Sequence, residues 1–139
     1  MSVPPRRSIK GVTSNSPRSV VLDRLRRWAA SAEEVEAAEL RRAADEHGCA
    51  EVAAVPDRAR ARVAGTLQSV TLQPRAGVPA LEADLYDGSD TVTLVWIGRR
   101  RIAGIDCGRR LVATGRVASV DGRRVMFNPR YDLLPPTTT

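Results

Sequence analysis

Arginine is the residue type whose number and spacing point most directly to chemistry in this 139-residue sequence. Eight arginines lie between Val95 and Arg124, against only Asp106 and Asp121. Because the remaining 14 basic and 14 acidic residues balance, this stretch holds the whole formal net charge of +6. Guanidinium groups bind phosphate oxygens through charge-assisted hydrogen bonds. The clustering therefore predicts a binding site for a polyanion such as nucleic acid.

A nucleic-acid groove also needs flat side chains on which bases can stack. Tyr86 is the best candidate for that role, but Glu82 and Asp84 share its face and repel phosphate. The expected site therefore moves toward the arginine-rich loop after the third strand, where several arginines can converge on one rim of a barrel. Trp96 shares one face of the third strand with Val92 and Leu94, so it is expected in the core. The predicted nucleic-acid-binding residues are Arg99, Arg100, Arg101, Arg109, Arg110, Arg116, Arg124 and Tyr86.

The sequence offers few groups for catalysis. His47 is the only histidine and lies near the end of a predicted helix, where the helix dipole explains it. There is no GxxxxGKS/T phosphate loop and no HExxH zinc motif. Asp84, Asp87 and Asp90 flank Gly88 and are expected to form a turn rather than bind a cation. We therefore expect a protein that is not an enzyme and that has no cofactor and no metal site.

The two cysteines, Cys49 and Cys107, are far apart and have no second pair beside them. Neither a disulfide framework nor a four-cysteine zinc site fits, so both are expected to be reduced, structural thiols. No stretch is apolar enough to cross a membrane, and Met1 to Pro17 lacks the apolar core of a signal peptide. These features predict a cytoplasmic protein with no membrane partner.

Composition and periodicity separate an N-terminal arm from a helical segment. Residues 1–18 are rich in proline, serine and arginine and are expected to form a disordered basic arm. Residues 19–48 are expected to be helical, with Ser19 as the N-cap and a capping box from Ser31 to Glu34. Whether Ser31 splits this segment into two helices stays open.

In residues 57–134 the apolar side chains recur at every second position, which is typical of strands. Five short antiparallel strands are predicted, with a bulge at Ser69 in the long first strand and a tight turn at Asp121 and Gly122. Closing them into a barrel removes exposed sheet edges. Residues 135–139 are expected to be a disordered tail. The predicted fold is mainly β, a five-stranded barrel preceded by an α-helical segment.

The barrel region resembles a known family. Its most telling residues are the run PALEADLYDGSDTVTLVWIGRRRIAGIDCGRRLVATGRV and the NPRY that follows. They are similar to those of a group of small actinobacterial OB-fold proteins with a helical N-terminal segment. The barrel is also similar to the wedge domain of RecG-type branch-migration helicases and to tRNA-anticodon-binding OB domains. The resemblance covers roughly Arg60 to Leu134 and implies an OB fold that binds nucleic acid, without carrying over functional residues.

Together these features predict a non-enzymatic OB-fold protein that binds single-stranded or structured nucleic acid mainly through arginine–phosphate contacts. The alternative is a protein-interaction adapter, in which the helical segment or the acidic face of the second strand contacts a partner and the arginines only confer solubility. The helical segment can also cap the barrel or associate with a second copy. The choice between DNA and RNA, the sequence preference, the oligomeric state and the biological pathway stay open.

Overall fold

The computed structural model describes residues 17–136, with side chains from residue 20 onward. The predicted arm, 1–18, and tail, 135–139, fall mostly outside these residues. Within the described part, the last two residues of the predicted arm belong to a helix, and the first two of the predicted tail belong to neither helix nor strand. No helix among the described residues is long and apolar enough to cross a membrane.

A single helix, α1, spans Pro17–Glu46. It continues through Ser31, so one helix is present where the sequence leaves one or two open. Ser31 is exposed, and an exposed serine is tolerated inside a helix because its hydroxyl can bond to water. Ser19, the predicted N-cap, lies inside the first turn instead. The chain divides into two compact units, Met1–Glu36 and Ala37–Thr139, and the boundary falls within α1.

The helix ends where glycine allows the chain to reverse. Gly48 has a φ of 67°, a left-handed conformation that costs glycine little. The Cys49 N–H donates to the Ala44 carbonyl at 2.9 Å, and the Gly48 N–H donates to the Asp45 carbonyl at 3.0 Å. These two bonds form a Schellman motif, which satisfies carbonyl groups at the helix end. They bring Cys49 and Ala44 into a small apolar cluster with the barrel.

Six strands form one sheet that closes on itself. They are β1 (Arg60–Leu72), β2 (Ala80–Tyr86), β3 (Thr91–Ile97), β4 (Arg110–Val120), β5 (Arg123–Phe127) and β6 (Arg130–Leu133). Neighbours follow the order β1-β2-β3-β5-β4, and β1 also pairs with β4, so five strands make a ring. β3 and β5 run parallel, and the other pairs are antiparallel. The predicted mainly β fold, a five-stranded OB barrel preceded by a helix, is confirmed.

Three details of the barrel differ from the sequence-based expectation. β3 and β5 pair in parallel, whereas the predicted strands are all antiparallel, because a closed ring of five strands cannot be antiparallel at every pair. β6 is a sixth strand beyond the predicted five. Asn128 and Pro129 end β5, which pairs with the second half of β4. The chain then continues as β6, which pairs with the first half of β4. The bulge in β1 falls at Gln68 instead of Ser69, because Ser69 is paired with Asp84 and Gln68 is the residue without a partner in the register.

Alternate residues of the strands fill the barrel interior. Trp96 is 5% exposed, so its predicted place in the core is confirmed. Its Nε1–H donates to the Pro129 carbonyl at 3.1 Å, and its ring meets Tyr131 edge-on with centroids 5.6 Å apart. Ile102 and Ile105, from the loop between β3 and β4, are buried in the same core. The arginine-rich loop is therefore anchored to the barrel at two points.

Asp87 joins the end of α1 to the turn between β2 and β3. Its side chain is completely buried. One carboxylate oxygen accepts hydrogen bonds from Arg41 Nη1 and the Val52 N–H, both at 2.8 Å. The other oxygen accepts from the Ser89 N–H, the Ser89 hydroxyl and the Asp90 N–H. The expected use of Asp87 in a turn is confirmed, and the same carboxylate holds the helix end.

Candidate nucleic-acid interface

The predicted site residues near β3 lie at its opposite ends. Arg99, Arg100 and Arg101 are exposed in the loop that follows β3. Arg124 is in β5, and its guanidinium forms an ion pair with Asp90, which precedes β3. β3 has seven residues, so about 20 Å of strand separates the two groups. The structure does not gather them on one rim, and Arg124 already has a carboxylate partner.

Arg109 and Arg110, at the start of β4, are half-buried. Arg110 lines a cavity of about 110 Å³ together with Leu40, Ala44 and other residues from the end of α1. Arg109 Nε is buried and has no hydrogen-bond partner among the described residues. Both side chains are thus partly enclosed by the protein, and a long polymer reaches them less easily than it reaches the exposed arginines.

Tyr86 is half-buried at the end of β2, and its hydroxyl donates to the Gly88 carbonyl at 3.4 Å. Glu82, on the same outer face, forms an ion pair with Arg75. Asp84 accepts hydrogen bonds from two hydroxyl groups of neighbouring strands. Arg75 offsets the charge of Glu82, whereas Asp84 has no ion pair among the described residues, so its carboxylate disfavours phosphate on the face that Tyr86 shares.

Four arginines share the outer face of β1, β4 and β6. Arg60 of β1 is directly opposite Arg116 of β4. In the next outward row, Thr114 of β4 lies between Arg62 and Arg130. All four arginines are exposed, and the residues that alternate with them pack on the core. Directly opposed Cβ atoms lie about 4.5–5.5 Å apart, so these side chains form one patch. We call Arg60, Arg62, Arg116 and Arg130 the arginine face.

The arginine face is not neutralised within the described part of the chain. None of its four residues has a carboxylate oxygen within 4.0 Å there. Asp132 lies one row further along β6 and forms no ion pair among the described residues. Glu51, which pairs with Arg41, lines a cavity together with Arg60 and Arg62, so the positive charges of this side still outnumber the negative ones. Like charges directly opposite each other destabilise an antiparallel pair. The stability of the barrel therefore does not explain the Arg60–Arg116 pair.

Two members of the arginine face are held in position by backbone carbonyls. Arg62 Nη1 donates to the His47 carbonyl, and Arg116 Nη1 donates to the Arg58 carbonyl, both at 2.6 Å. His47 directly follows α1, so Arg62 also lies at the negative end of the helix dipole. A guanidinium has five N–H donors, and each arginine keeps the others for a ligand. The contacts orient these side chains without cancelling their charge.

An open groove of about 450 Å³ continues the arginine face toward the loop after β3. Arg99 and Arg130 line it together with Thr114, Trp96 and Tyr131. Arg99 is therefore a predicted site residue that the structure places beside the arginine face. Tyr131 is half-buried against Trp96, so the groove offers charge rather than open aromatic rings.

The site predicted from the sequence includes Arg99 and Arg116. It does not include the other three arginines of the groove and the arginine face, which are Arg60, Arg62 and Arg130. Arg60 and Arg62 occupy alternate positions of the first strand, which is a signal that they share a face. Their meeting with Arg116 depends on the register between β1 and β4, which no local pattern specifies. Arg130 joins them only because β6 continues the sheet beyond Pro129.

Both cysteines are free, and Cys49 is buried next to the arginine face. Burial raises the pKa of the Cys49 thiol above its ordinary value, and the positive charges of Arg62 and Arg41 lower it only in part. A raised pKa keeps the sulfur protonated near neutral pH, and the thiol is a weak nucleophile and metal ligand. Cys107 is exposed, and its Sγ lies 3.2 Å from the Gln68 carbonyl oxygen. The structure gives Cys49 the structural role expected from the sequence.

Comparison with known proteins gives a likeness of fold only. One solved structure, described as "Structure of RecG bound to three-way DNA junction", is similar with a TM-score of 0.48 and 22% sequence identity. The match covers 61% of this chain and 12% of that chain, so this chain corresponds to a small part of the other protein's length. No family model and no curated protein matches the sequence. A likeness this distant carries no argument about function, and the actinobacterial grouping stays a prediction.

Proposed function

We propose that this protein is a non-enzymatic nucleic-acid-binding protein and that its arginine face holds the phosphate backbone. The observation that carries the proposal is the pair of Arg60 and Arg116, directly opposite each other and exposed. Neither has a carboxylate partner among the described residues. A phosphate between the two guanidiniums accepts hydrogen bonds from both and replaces their repulsion by attraction. Arg62 and Arg130 extend the positive surface along the strands.

The proposed contacts are with phosphate groups rather than with bases. Proteins that bind single strands tightly stack bases on exposed aromatic rings. Around the arginine face, Trp96 is buried and Tyr131 is packed against it. Backbone contacts position a protein on a nucleic acid but carry no sequence information. We therefore expect sequence-tolerant binding, at least as strong to duplex or hairpin forms as to single strands.

The proposal is tested by fluorescence anisotropy titration of labelled duplex DNA, single-stranded DNA and hairpin RNA at several salt concentrations. Each phosphate contact contributes about 0.9 to the slope of log K against log salt on duplexes and about 0.7 on single strands. Four arginine contacts therefore predict a slope magnitude of about 3 to 4 on duplex DNA. The double variant Arg60→Gln/Arg116→Gln removes two contacts and should lower that magnitude by about 2.

The matched control is Arg42→Gln/Arg123→Gln. It removes the same charge from two exposed arginines outside the arginine face, one on α1 and one at the start of β5. The control should keep the slope of the unmodified protein, and circular dichroism should show both variants folded. Equal losses in the two variants would mean that binding follows net charge and would reject the assigned site. No salt-dependent binding by the unmodified protein would favour the adapter alternative.

The loop arginines form a separate arm of the same titration. Arg99→Gln/Arg100→Gln/Arg101→Gln should lower the slope by about 1 if Arg99 alone contacts phosphate from the groove, and by about 3 if all three do. The roles of Arg109, Arg110, Arg124 and Tyr86 in binding stay predictions. The arginine face is favoured over these four residues for three reasons. Arg109 and Arg110 are half-buried, Arg124 is paired with Asp90, and Tyr86 has acidic neighbours.

A further inference from the structure

The groove that continues the arginine face has the size and the lining of a ligand site. Its volume is about 450 Å³, and pockets for small ligands usually measure roughly 300–1,000 Å³. Buried apolar side chains line part of it, Trp96 and Ile102 among them. The polar side chains that line it are Arg99, Thr114, Arg130 and Asp132. An apolar surface with a few polar groups is typical of a site that binds one small molecule or one unit of a polymer.

The charges of the groove have no partners within residues 17–136. Arg99, Arg130 and Asp132 are all exposed, and none of them forms an ion pair there. Arg130 and Asp132 lie two residues apart on the same face of β6, a distance of about 7 Å along the strand. The groove therefore presents two guanidinium groups on one side and a separate carboxylate on the other.

A ligand for this groove must satisfy both kinds of charge. The guanidinium groups of Arg99 and Arg130 favour an anion such as phosphate. The ionised Asp132 carboxylate only accepts hydrogen bonds, so the same ligand must bring donors to it and keep its phosphate away. A ribonucleotide meets these conditions, because its phosphate and its two sugar hydroxyl groups are attached at opposite sides of the ribose. Aspartate also binds a ribose hydroxyl in many dinucleotide sites.

The free hydroxyl groups restrict the ligand further. Inside a nucleic-acid strand the 3′ oxygen belongs to the next phosphate, so only the last nucleotide at the 3′ end has both hydroxyl groups free. DNA lacks the 2′-hydroxyl group altogether. The chemistry of the groove therefore fits the 3′ end of RNA better than an internal nucleotide or the end of a DNA strand.

The groove and the arginine face share residues. Arg130 belongs to both, and Thr114 lies between Arg130 and Arg62 in the sheet. A strand whose last nucleotide lies in the groove can therefore continue over the arginine face with its preceding phosphates. We propose that the groove holds the 3′-terminal ribonucleotide of an RNA strand, with its phosphate at Arg99 and Arg130 and its hydroxyl groups at Asp132. This inference rests on nucleic-acid binding by the arginine face and adds the choice of RNA and of its end.

Two RNAs that differ only at the 3′ end test the proposal. Both are 5′-labelled hairpins with a single-stranded 3′ overhang, and one ends in a ribonucleotide and the other in a 2′,3′-dideoxynucleotide. Loss of two hydrogen bonds should weaken binding of the dideoxy RNA about tenfold in an anisotropy titration. The salt slope should stay the same, because the phosphates are the same. Equal affinities with a normal salt slope would overturn this inference and leave the arginine face intact, whereas no salt-dependent binding of either RNA would overturn both.

The variant Asp132→Asn tests the role of the carboxylate. It keeps the shape of the side chain and removes its charge, so the tenfold preference for the ribonucleotide end should fall to about threefold or less. If Asp132 only repels RNA, the variant binds both RNAs more tightly by the same factor, and the unchanged preference would overturn the assignment. Asp106→Asn is the matched control, because Asp106 is exposed, has no ion pair in the described residues and does not line the groove. It should keep the full preference, and circular dichroism should show both variants folded.

A free nucleotide is the other source of the same chemistry. Adenosine 5′-monophosphate lacks the phosphates that reach the arginine face, so it should displace the labelled RNA only at concentrations far above the Kd of the RNA. Displacement at concentrations close to that Kd would show that a free nucleotide is the ligand, and it would overturn the assignment to a strand end.

Discussion

The buried carboxylate of Asp87 allows a sharp test of how the end of α1 and the barrel are held together. Asp87→Ala removes the acceptor of five hydrogen bonds, two of them from Arg41 and the Val52 N–H. The Asp87 side chain is completely buried, so water does not take its place without a change of structure. The Arg41 side chain is 19% exposed and loses its shortest ion pair.

The expected cost follows from these contacts. Breaking a buried ion pair by removing one partner costs about 3–5 kcal/mol. Arg41 keeps the more exposed carboxylates of Asp45 and Glu51, at 3.2 and 3.6 Å, which offsets part of that loss. The Val52 N–H is left without its acceptor, and an unpaired buried donor costs about 1–3 kcal/mol. We expect a total loss of about 3–5 kcal/mol, a large share of the roughly 5–15 kcal/mol of a typical domain.

Urea unfolding followed by circular dichroism measures this loss. Asp106→Ala is the matched control, because Asp106 is exposed and has no ion pair in the described residues, and it should change stability by less than about 0.5 kcal/mol. Arg41→Ala completes a double-mutant cycle, in which the two substitutions together should cost less than the sum of each alone. A loss below about 1 kcal/mol for Asp87→Ala would refute the role assigned to this carboxylate.

Two further predictions concern packing and thiol reactivity. A Cβ at Gly65 would overlap the Tyr86 carbonyl oxygen, so Gly65→Ala should lower the free energy of unfolding in urea by at least about 1–3 kcal/mol. A Cβ at Gly115 makes ordinary contacts from 3.5 Å, so Gly115→Ala should lower it clearly less. Equal losses would refute the close approach of β1 to the end of β2. A thiol reagent near pH 8 should modify exposed Cys107 quickly and buried Cys49 only on unfolding. The reason is that burial raises the pKa of the Cys49 thiol and keeps its thiolate fraction low. Rapid modification of both cysteines in the folded protein would contradict this prediction.

Local sequence signals predicted those parts of the fold that neighbouring residues determine. Asp121 and Gly122 both have positive φ, 51° and 77°, and join β4 to β5 as a two-residue turn, which is the conformation that Asp-Gly favours. The burial of Trp96 followed from its place on the same face of β3 as Val92 and Leu94, although Thr93 and Val95 on the other face are buried as well. Ser31 did not decide between one helix and two, because an exposed serine is compatible with either outcome.

The arginine face could not be predicted from local patterns, because it depends on non-local pairing. Counting charges located the basic excess between residues 95 and 124, but the barrel places residues 99–101 and Arg124 of that stretch at opposite ends of β3. The register between β1 and β4 instead brings Arg60 to Arg116 from outside the stretch. Arg130 belongs to β6, and four residues are too few to show a period. The site could therefore be identified only from the pairing and register of the strands.

The central claim is that nucleic acid contacts the outer face of β1, β4 and β6. Backbone amide chemical-shift changes in isotope-labelled protein, measured by NMR on adding a short duplex at low salt, test it most directly. The account predicts the largest changes around Arg60, Thr114, Arg116 and Arg130, with small changes on the outer face of β2 and β3 around Tyr86. Changes confined to the β2–β3 face, or no changes at all, would contradict it.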